Sequence, residues 1–160
     1  MKSSPFLSTT MEIKPEWIDY NGHLNMAYYN VLFDTGVDQA FELIGFGADY
    51  AAERQLTFYT AEFHVRYLRE LHLGDKVRVG FQLLDSDDKR LHYCQWLYHE
   101  DGWLAATAEG LALHIDMTGP RVMPFPDDIA DKVKAMRAEH DALGRPDFVG
   151  TPIGIRRKSG

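Results

Sequence analysis

Cysteine is almost absent from the 160-residue chain. Cys94 is the single example, so no intrachain disulfide can form and nothing points to an oxidising compartment. Serine is scarce too: Ser3, Ser4, Ser8, Ser86 and Ser159 lie near the termini or in a turn, and none sits in a Gly-x-Ser-x-Gly elbow. Cys94 falls mid-strand with no activating partner beside it, which reads as a buried structural thiol. No Gly-x-x-x-x-Gly-Lys loop is present, and Gly45-Phe46-Gly47 lacks the third glycine of a dinucleotide fingerprint. The seven histidines show neither His-Glu-x-x-His nor His-x-His spacing, and one cysteine cannot build a thiolate zinc site, so neither a metal nor a cofactor is expected.

Positive charge is also in short supply. The formal net charge is -7, and basic residues cluster only at Arg156-Arg157-Lys158. Duplex nucleic acid is therefore not an expected partner, because neutralising phosphates needs a basic face. No apolar run approaches the roughly 20 residues of a membrane span. Met1 to Thr10 has no charged stretch followed by an apolar one, so a cytoplasmic location with no membrane partner is the expectation.

What the chain does contain is a clear order of elements. Residues 6–14 predict an opening strand that Pro15 ends, followed by a loop from Glu16 to Gly22. Met26, Tyr29, Phe33, Val37, Phe41 and Ile44 recur at spacings of three and four and predict a long helix with one apolar stripe. Asn25 is placed to cap it, and Gly45 and Gly47 to stop it. Asp34, Asp38 and Glu42 stand four apart on another face, which reads as the solvated side or as a subunit contact. After a short helical or irregular stretch over 47–54 the period becomes two. Tyr59, Ala61, Phe63, Val65 and Tyr67 alternate with Phe58, Thr60, Glu62, His64 and Arg66. Gly74-Asp75, Asp85-Ser86-Asp87-Asp88 and Asp101-Gly102 then separate three more strands, an antiparallel meander. Ile129, Val133 and Met136 predict a closing helix over about 127–141. Residues 1–143 form a single domain in this reading, and the Gly- and Pro-containing tail 144–160 is expected to be loose. A long helix with an apolar stripe, wrapped by one curved antiparallel sheet, is the α+β arrangement that buries both.

With the common nucleophiles missing, a carboxylate is the natural reagent. Asp19 precedes Gly22 and the start of the long helix, where unpaired N–H groups favour a developing negative charge. A carboxylate there can attack a carbonyl or activate water, with His23 and Asn25 available for positioning. Asp and Asn before a helix are also ordinary caps. Spacing alone leaves the two readings open.

The segment Asp19-Tyr20-Asn21-Gly22-His23-Leu24-Asn25 resembles the Asp-x-x-Gly-His-x-Asn pattern of the 4-hydroxybenzoyl-CoA thioesterase branch of the hotdog superfamily, with a tyrosine following at Tyr28 or Tyr29. Val65-Arg66-Tyr67-Leu68-Arg69 with Gly74-Asp75 resembles that family's strand and turn, and the likeness covers roughly residues 6–120. Trp17-Ile18-Asp19-Tyr20-Asn21-Gly22-His23, Phe58-Tyr59-Thr60-Ala61-Glu62-Phe63-His64, Asp88-Lys89-Arg90-Leu91-His92 and Leu111-Ala112-Leu113-His114-Ile115-Asp116 are similar to the betainyl-CoA thioesterases of carnitine catabolism. The resemblance implies a hotdog fold and hydrolysis of a short acyl-CoA, betainyl-CoA, to the free acid and CoA, with no cofactor beyond the substrate. It implies Asp19 as nucleophile or general base with His23 and Asn25, and the Met26 backbone N–H polarising the thioester carbonyl. Trp17, Tyr20, Tyr28, Tyr59, Glu62 and His64 would form the substrate pocket, since a quaternary ammonium suits aromatic faces and a carboxylate. Arg66, Lys89 and Arg90 would meet the CoA phosphates. The family places its sites between subunits of a homodimer joined edge to edge, or of a homotetramer. A hotdog thioesterase for aromatic or fatty acyl-CoA, and a non-catalytic acyl-CoA-binding module, are the competing readings.

Overall fold

The computed structural model describes residues 5–159; the first four residues of the expected domain and Gly160 at the end of its tail lie outside the described residues. Two short strands, β1 (Phe6–Leu7) and β2 (Met11–Glu12), precede a 3-10 turn at Pro15–Trp17. The long helix α1 (Met26–Glu42) and the short α2 (Ala48–Arg54) follow. The meander is β3 (Leu56–Tyr67), β4 (Lys76–Ser86), β5 (Arg90–His99) and β6 (Leu104–Asp116); β7 (Arg121–Val122) and α3 (Asp127–Asp141) complete the chain. All ladders are antiparallel, in the order β1-β4-β5-β6-β3, with β2 also on β4 and β7 on β6. This is the α+β arrangement expected from the periodicity. Among the described residues no helix is long and apolar enough to cross a membrane.

The opening strand differs from the expectation by breaking in two at Ser8. That side chain is fully buried; its Oγ accepts from the Val79 N–H at 2.9 Å, and its own N–H donates to the Val79 carbonyl at 2.8 Å. A side chain thus replaces one ladder bond of β4, and the strand resumes one register step later at Met11↔Val77.

β3 also departs from simple alternation. A bulge between Thr60 and Glu62 leaves Ala61 unpaired, and an extra residue flips the faces on one side of it. Phe58 therefore packs inward, 4.4 Å edge-on to Phe41, while Tyr59, expected among the apolar set, is 50% exposed. Past the bulge Phe63 and Val65 turn inward, as the alternation predicts. β3 is hydrogen-bonded only to β6, so its other edge is open among the described residues.

α1 lies across the inner face of the sheet and divides the core in two. Leu32 and Phe33 meet Val77, Val79, Leu97, Ala106 and Ala108 near its start. Val37, Phe41 and Ile44 meet Phe81, Tyr93, Phe46, Phe125 and the α3 stripe Ile129, Val133 and Met136 near its end. Of the tail expected to be loose, residues 148–150 lie on the outer face of the sheet and residues 152–159 are exposed. Phe148 stacks edge-on to Trp96 at 5.7 Å, Val149 is buried, and the Gly150 N–H donates to Glu109 at 2.8 Å.

Candidate active site

The loop before α1 is a closed turn. The Gly22 N–H donates to the Asp19 carbonyl at 3.0 Å, the Asp19 N–H donates to the His23 carbonyl at 3.0 Å, and Ile18 bridges Leu24. Gly22 has φ +79, a backbone state that side chains with a Cβ resist. The Asp19 carboxylate is half-buried, and one oxygen accepts from the Asn21 N–H at 2.8 Å. Its second oxygen has no partner among the described residues. The turn thus aims a carboxylate while leaving one oxygen available.

Asn25 caps α1 as predicted: its Oδ1 accepts from the Ala27 N–H at 2.9 Å, and its backbone N–H donates to the Trp17 carbonyl at 2.9 Å. The Met26 N–H, first in the helix, finds no partner among the described residues. Asn25 therefore takes up one helix-end donor and leaves the Met26 N–H unpartnered. His23 is oriented differently from the expectation. Its imidazole pairs with Glu70 at 3.2 Å and lies edge-on to His72 at 5.4 Å, so it braces the β3–β4 loop and makes no bond to the Asp19 carboxylate. Together His23, Glu70 and His72 bring possible metal-ligand atoms within 4.8 Å of one another, a convergence that sequence spacing hides. All are partly or fully exposed, and they approach through the His23–Glu70 contact and the edge-on His23–His72 rings.

The other expected residues divide into three places. Trp17 and Tyr28 stack at 5.8 Å beside the turn, with the Lys14 ammonium 5.2 Å above the Trp17 ring. Tyr20, at the tip of the turn, is 98% exposed and touches no pocket of its own chain. Tyr59 lines a cavity of about 840 Å³ beside the far half of α1. Glu62 and His64 stand on the outer face of the sheet with His92, Glu109 and the tail, so the sheet separates them from Asp19 within one chain. Arg66 shares that outer face by register, one residue before Tyr67, whose hydroxyl donates to the Met26 carbonyl at 3.3 Å. Lys89 sits in the β4–β5 turn and Arg90 opens β5, where its guanidinium pairs with Asp87. That turn lies at the opposite end of the sheet from Asp19, because an 11-residue β4 spans about 35 Å.

A trough that the sequence reading passed over runs between α1 and the β3 edge. Its first part is a cavity of about 400 Å³ with Asn30, Asp34, Thr60, Phe63, Tyr93 and Gln95 in its wall. The Tyr93 ring reaches it only because residue 110 is glycine: a Cβ there would lie 2.4 Å from the Tyr93 ring carbon that carries the hydroxyl. Burial pushes the Tyr93 hydroxyl up to about 12, so it stays protonated. Asp38, further along the helix, is raised from its ordinary value by burial and then by the neighbouring charges of Asp34 and Glu42.

The far end of the sheet is closed by a buried histidine. The His114 Nδ1 lies 2.9 Å from the Met123 carbonyl and its Nε2 lies 2.7 Å from the Tyr50 hydroxyl. A carbonyl can only accept, so Nδ1 carries the proton and Nε2 accepts from Tyr50. Burial lowers the His114 pKa, consistent with this neutral tautomer. The likeness around His114 is therefore accounted for by packing in this chain.

The chain matches the thioesterase-like superfamily over residues 13–133. It is 37% identical over 150 residues to a betainyl-CoA thioesterase of Pseudomonas aeruginosa, covering 92% of this chain and 94% of the relative. It is 33% identical over 97% of its length to an L-carnitine dehydrogenase/betainyl-CoA thioesterase of Rhizobium meliloti, of which it spans 31%. Among solved structures it is similar to a Staphylococcus aureus protein in complex with CoA, with TM-score 0.88, 31% identity and 98% of both chains covered.

Proposed function

The chain belongs to the thioesterase-like superfamily of hotdog-fold thioesterases, and we propose that it hydrolyses betainyl-CoA to betaine and CoA with Asp19 as nucleophile or general base. The observation that carries this reading is the pairing of Asp19 with the head of α1. One carboxylate oxygen is held by the Asn21 N–H and the other is free, while the unpartnered Met26 N–H lies beyond the same turn. In the reaction the Met26 N–H would donate to the thioester carbonyl, which gains negative charge as it becomes tetrahedral. Asp19 would attack that carbon or take a proton from the attacking water. CoA leaves as its thiolate and is protonated by solvent; where Asp19 is the nucleophile, water then hydrolyses the Asp19–acyl anhydride, releasing betaine and restoring the carboxylate. The substrate comes from the betainyl-CoA thioesterase of Pseudomonas aeruginosa and the carnitine-linked fusion of Rhizobium meliloti.

A second copy of the chain completes this site. The open edge of β3 offers unpaired backbone groups for antiparallel pairing with another β3. Such pairing brings the Leu56 end of one strand beside the Tyr67 end of the other. Lys89 and Arg90, too distant from Asp19 in their own chain, would then approach the partner's Asp19 and meet CoA phosphates. The relative solved in complex with CoA supports a nucleotide-binding surface of this kind.

The test is free-thiol release from betainyl, short aliphatic, long aliphatic and 4-hydroxybenzoyl-CoA, by the wild type and Asp19→Asn. The expected result is a marked preference for betainyl-CoA and loss of turnover in the variant. Near wild-type rates in Asp19→Asn would remove Asp19 from the mechanism. Binding of every acyl-CoA without hydrolysis would leave a binding module instead.

A further inference from the structure

Among the described residues one buried side-chain acceptor has nothing to accept from. Gln95 is fully buried on the inner face of β5, and its Nε2 donates to the Phe33 carbonyl at 2.9 Å. That bond fixes the amide, and Oε1 is left without a partner. A buried carbonyl in this state is costly unless something fills the space it faces. Gln95 stands in the wall of the 400 Å³ cavity, whose lining also includes Asp34. Asp34 and Thr60 also line the 840 Å³ cavity, whose rim carries Asp38, Glu42 and Tyr59, so the two are parts of one trough. No lysine or arginine lines either part. Every ionisable side chain of the trough is an acid or a tyrosine, and Asp38 is already held above its ordinary value by burial and its acidic neighbours.

The trough begins at Asn30, one turn along α1 from Met26. Asn30 and Asp34 lie one and two turns beyond Met26, about 6 and 12 Å along the axis, and helical side chains lean back toward the N-terminus. An acyl group whose carbonyl meets the Met26 N–H therefore extends toward Asn30 and Asp34. A lining of unpaired acceptors, carboxylates and aromatic faces selects a cation. Polarised N-methyl groups can also give weak C–H···O contacts to an amide oxygen.

We propose that this trough is the acyl head-group pocket and that Asp34 and Gln95 make it specific for a quaternary or tertiary ammonium a few bonds from the thioester carbonyl. The inference rests on the thioesterase reading above and refines it: the charge-reading carboxylate is Asp34, on α1, and not Glu62, on the outer face of the sheet. Phe63 and Tyr93 supply ring surface against the methyl groups.

The test compares betainyl-CoA with 3,3-dimethylbutanoyl-CoA, in which carbon replaces the ammonium nitrogen at the same shape. Wild type favours the cationic substrate, and Asp34→Asn lowers the ratio of the two kcat/KM values by about 10- to 100-fold. Gln95→Met lowers the same ratio by less, and its melting temperature is followed because the Phe33 bond is lost with it. A second arm needs no turnover: saturation transfer from the protein to the methyl protons of tetramethylammonium is expected for wild type and is lost in Asp34→Asn. Hydrolysis with a ratio unchanged by Asp34→Asn overturns the pocket assignment and leaves the thioesterase standing. Tetramethylammonium binding at Asp34 without any hydrolysis upholds the pocket and overturns the thioesterase. Neither binding nor hydrolysis overturns both.

Discussion

Along α1 the packing changes character from one half to the other. The first half rests mainly on small and aliphatic residues, with Leu32 and Phe33 against Val79, Leu97, Ala106 and Ala108. Its rings meet in separate pairs, Tyr29 with Tyr67 and Phe33 with Phe63, and Met26 at its head is 64% exposed. The second half is held by rings: Phe41 meets Phe46, Phe58, Phe81 and Tyr93 edge-on at 4.4 to 5.8 Å. α2 and α3 add to that end, and the His114 network closes it. Asp19 and the free Met26 N–H lie at the exposed head, and the trough begins one turn further along at Asn30. One helix thus has an anchored end and a working end. Stability is expected to be concentrated at the first and chemistry at the second.

Removing the reactive group at the working end has the largest expected effect. Asp19→Asn should lower kcat by about a thousandfold or more, yet shift the urea midpoint little. Asn retains an oxygen for the Asn21 N–H, and the site is on the surface of the turn. A large loss of stability in this variant would mean that the turn, and not the chemistry, depends on the carboxylate. The matching change at the anchored end is Phe41→Ala. It removes a buried ring that touches four others and should cost about 3–5 kcal/mol, with the per-molecule rate of the remaining folded protein nearly kept. Equal losses of rate and stability in both variants would erase the distinction.

Gly110→Ala tests the junction between the halves, because Tyr93 belongs both to the aromatic cluster and to the trough wall. The added methyl cannot coexist with the present ring position. Overpacking of this kind costs about 1–3 kcal/mol, and displacement of the Tyr93 ring should also raise KM. Chemical denaturation and a Michaelis curve on the same preparation read both effects.

How much of this contrast could be read in advance depended on what kind of signal each part leaves. α1, its Asn25 cap and the four-strand meander came from periodicity and turn residues, which are local. The Ala61 bulge did not, because one unpaired residue on an edge strand leaves no mark in composition, and it moved Phe58 and Tyr59 to faces opposite to those expected. Glu62 and His64 were grouped with Asp19 by resemblance, although β3 register sends them to the outer face. The tail reads as loose from its glycines and prolines; Trp96 and Glu109, distant in sequence, hold its Phe148 and Gly150, while residues 152–159 are exposed. Gln95 did leave a signal: in Leu91, Tyr93, Gln95, Leu97 it is the one polar residue on an otherwise apolar strand face. Asp34 and Asp38 read from the sequence as a solvated face or a subunit contact, and both are exposed, but sequence alone does not reveal the cavities beside the β3 edge that they line.

At the anchored end the buried histidines make stability depend on pH. Burial lowers the pKa of both His114 and His140, and the His140 Nδ1 accepts from the Leu83 N–H at 2.9 Å. A histidine with a depressed folded pKa binds protons more readily when unfolded. Stability is therefore full above the ordinary histidine value near 6.5 and falls as pH drops below it. The melting temperature should decline between about pH 6.5 and 5, and His140→Gln should flatten that decline. An unchanged slope in His140→Gln would show that this histidine does not contribute to it.

The smallest expected effect crosses the boundary in the other direction. Asp38 lies toward the anchored end of α1, but its carboxyl is raised by burial and by Asp34 and Glu42, so its ionised form strains the helix. A carboxyl with a raised folded pKa is best tolerated protonated, and the stability it allows at low pH is lost as pH rises through its folded value. Asp38→Asn removes that loss, and at pH 7 it should be more stable than the wild type. The side chain is largely open to solvent, so screening limits the gain to a few tenths of a kcal/mol. The difference should vanish below about pH 3, where the wild-type group is neutral, and shrink in 1 M salt, where the Debye length is about 3 Å. Tetramethylammonium gives the sharper reading. If the acidic row is tuned for a bound cation, the ligand should stabilise the wild type more than Asp38→Asn. A variant no more stable at pH 7, or stabilised equally by the cation, would place Asp38 among ordinary solvated residues and confine the working part of the trough to Asp34 and Gln95.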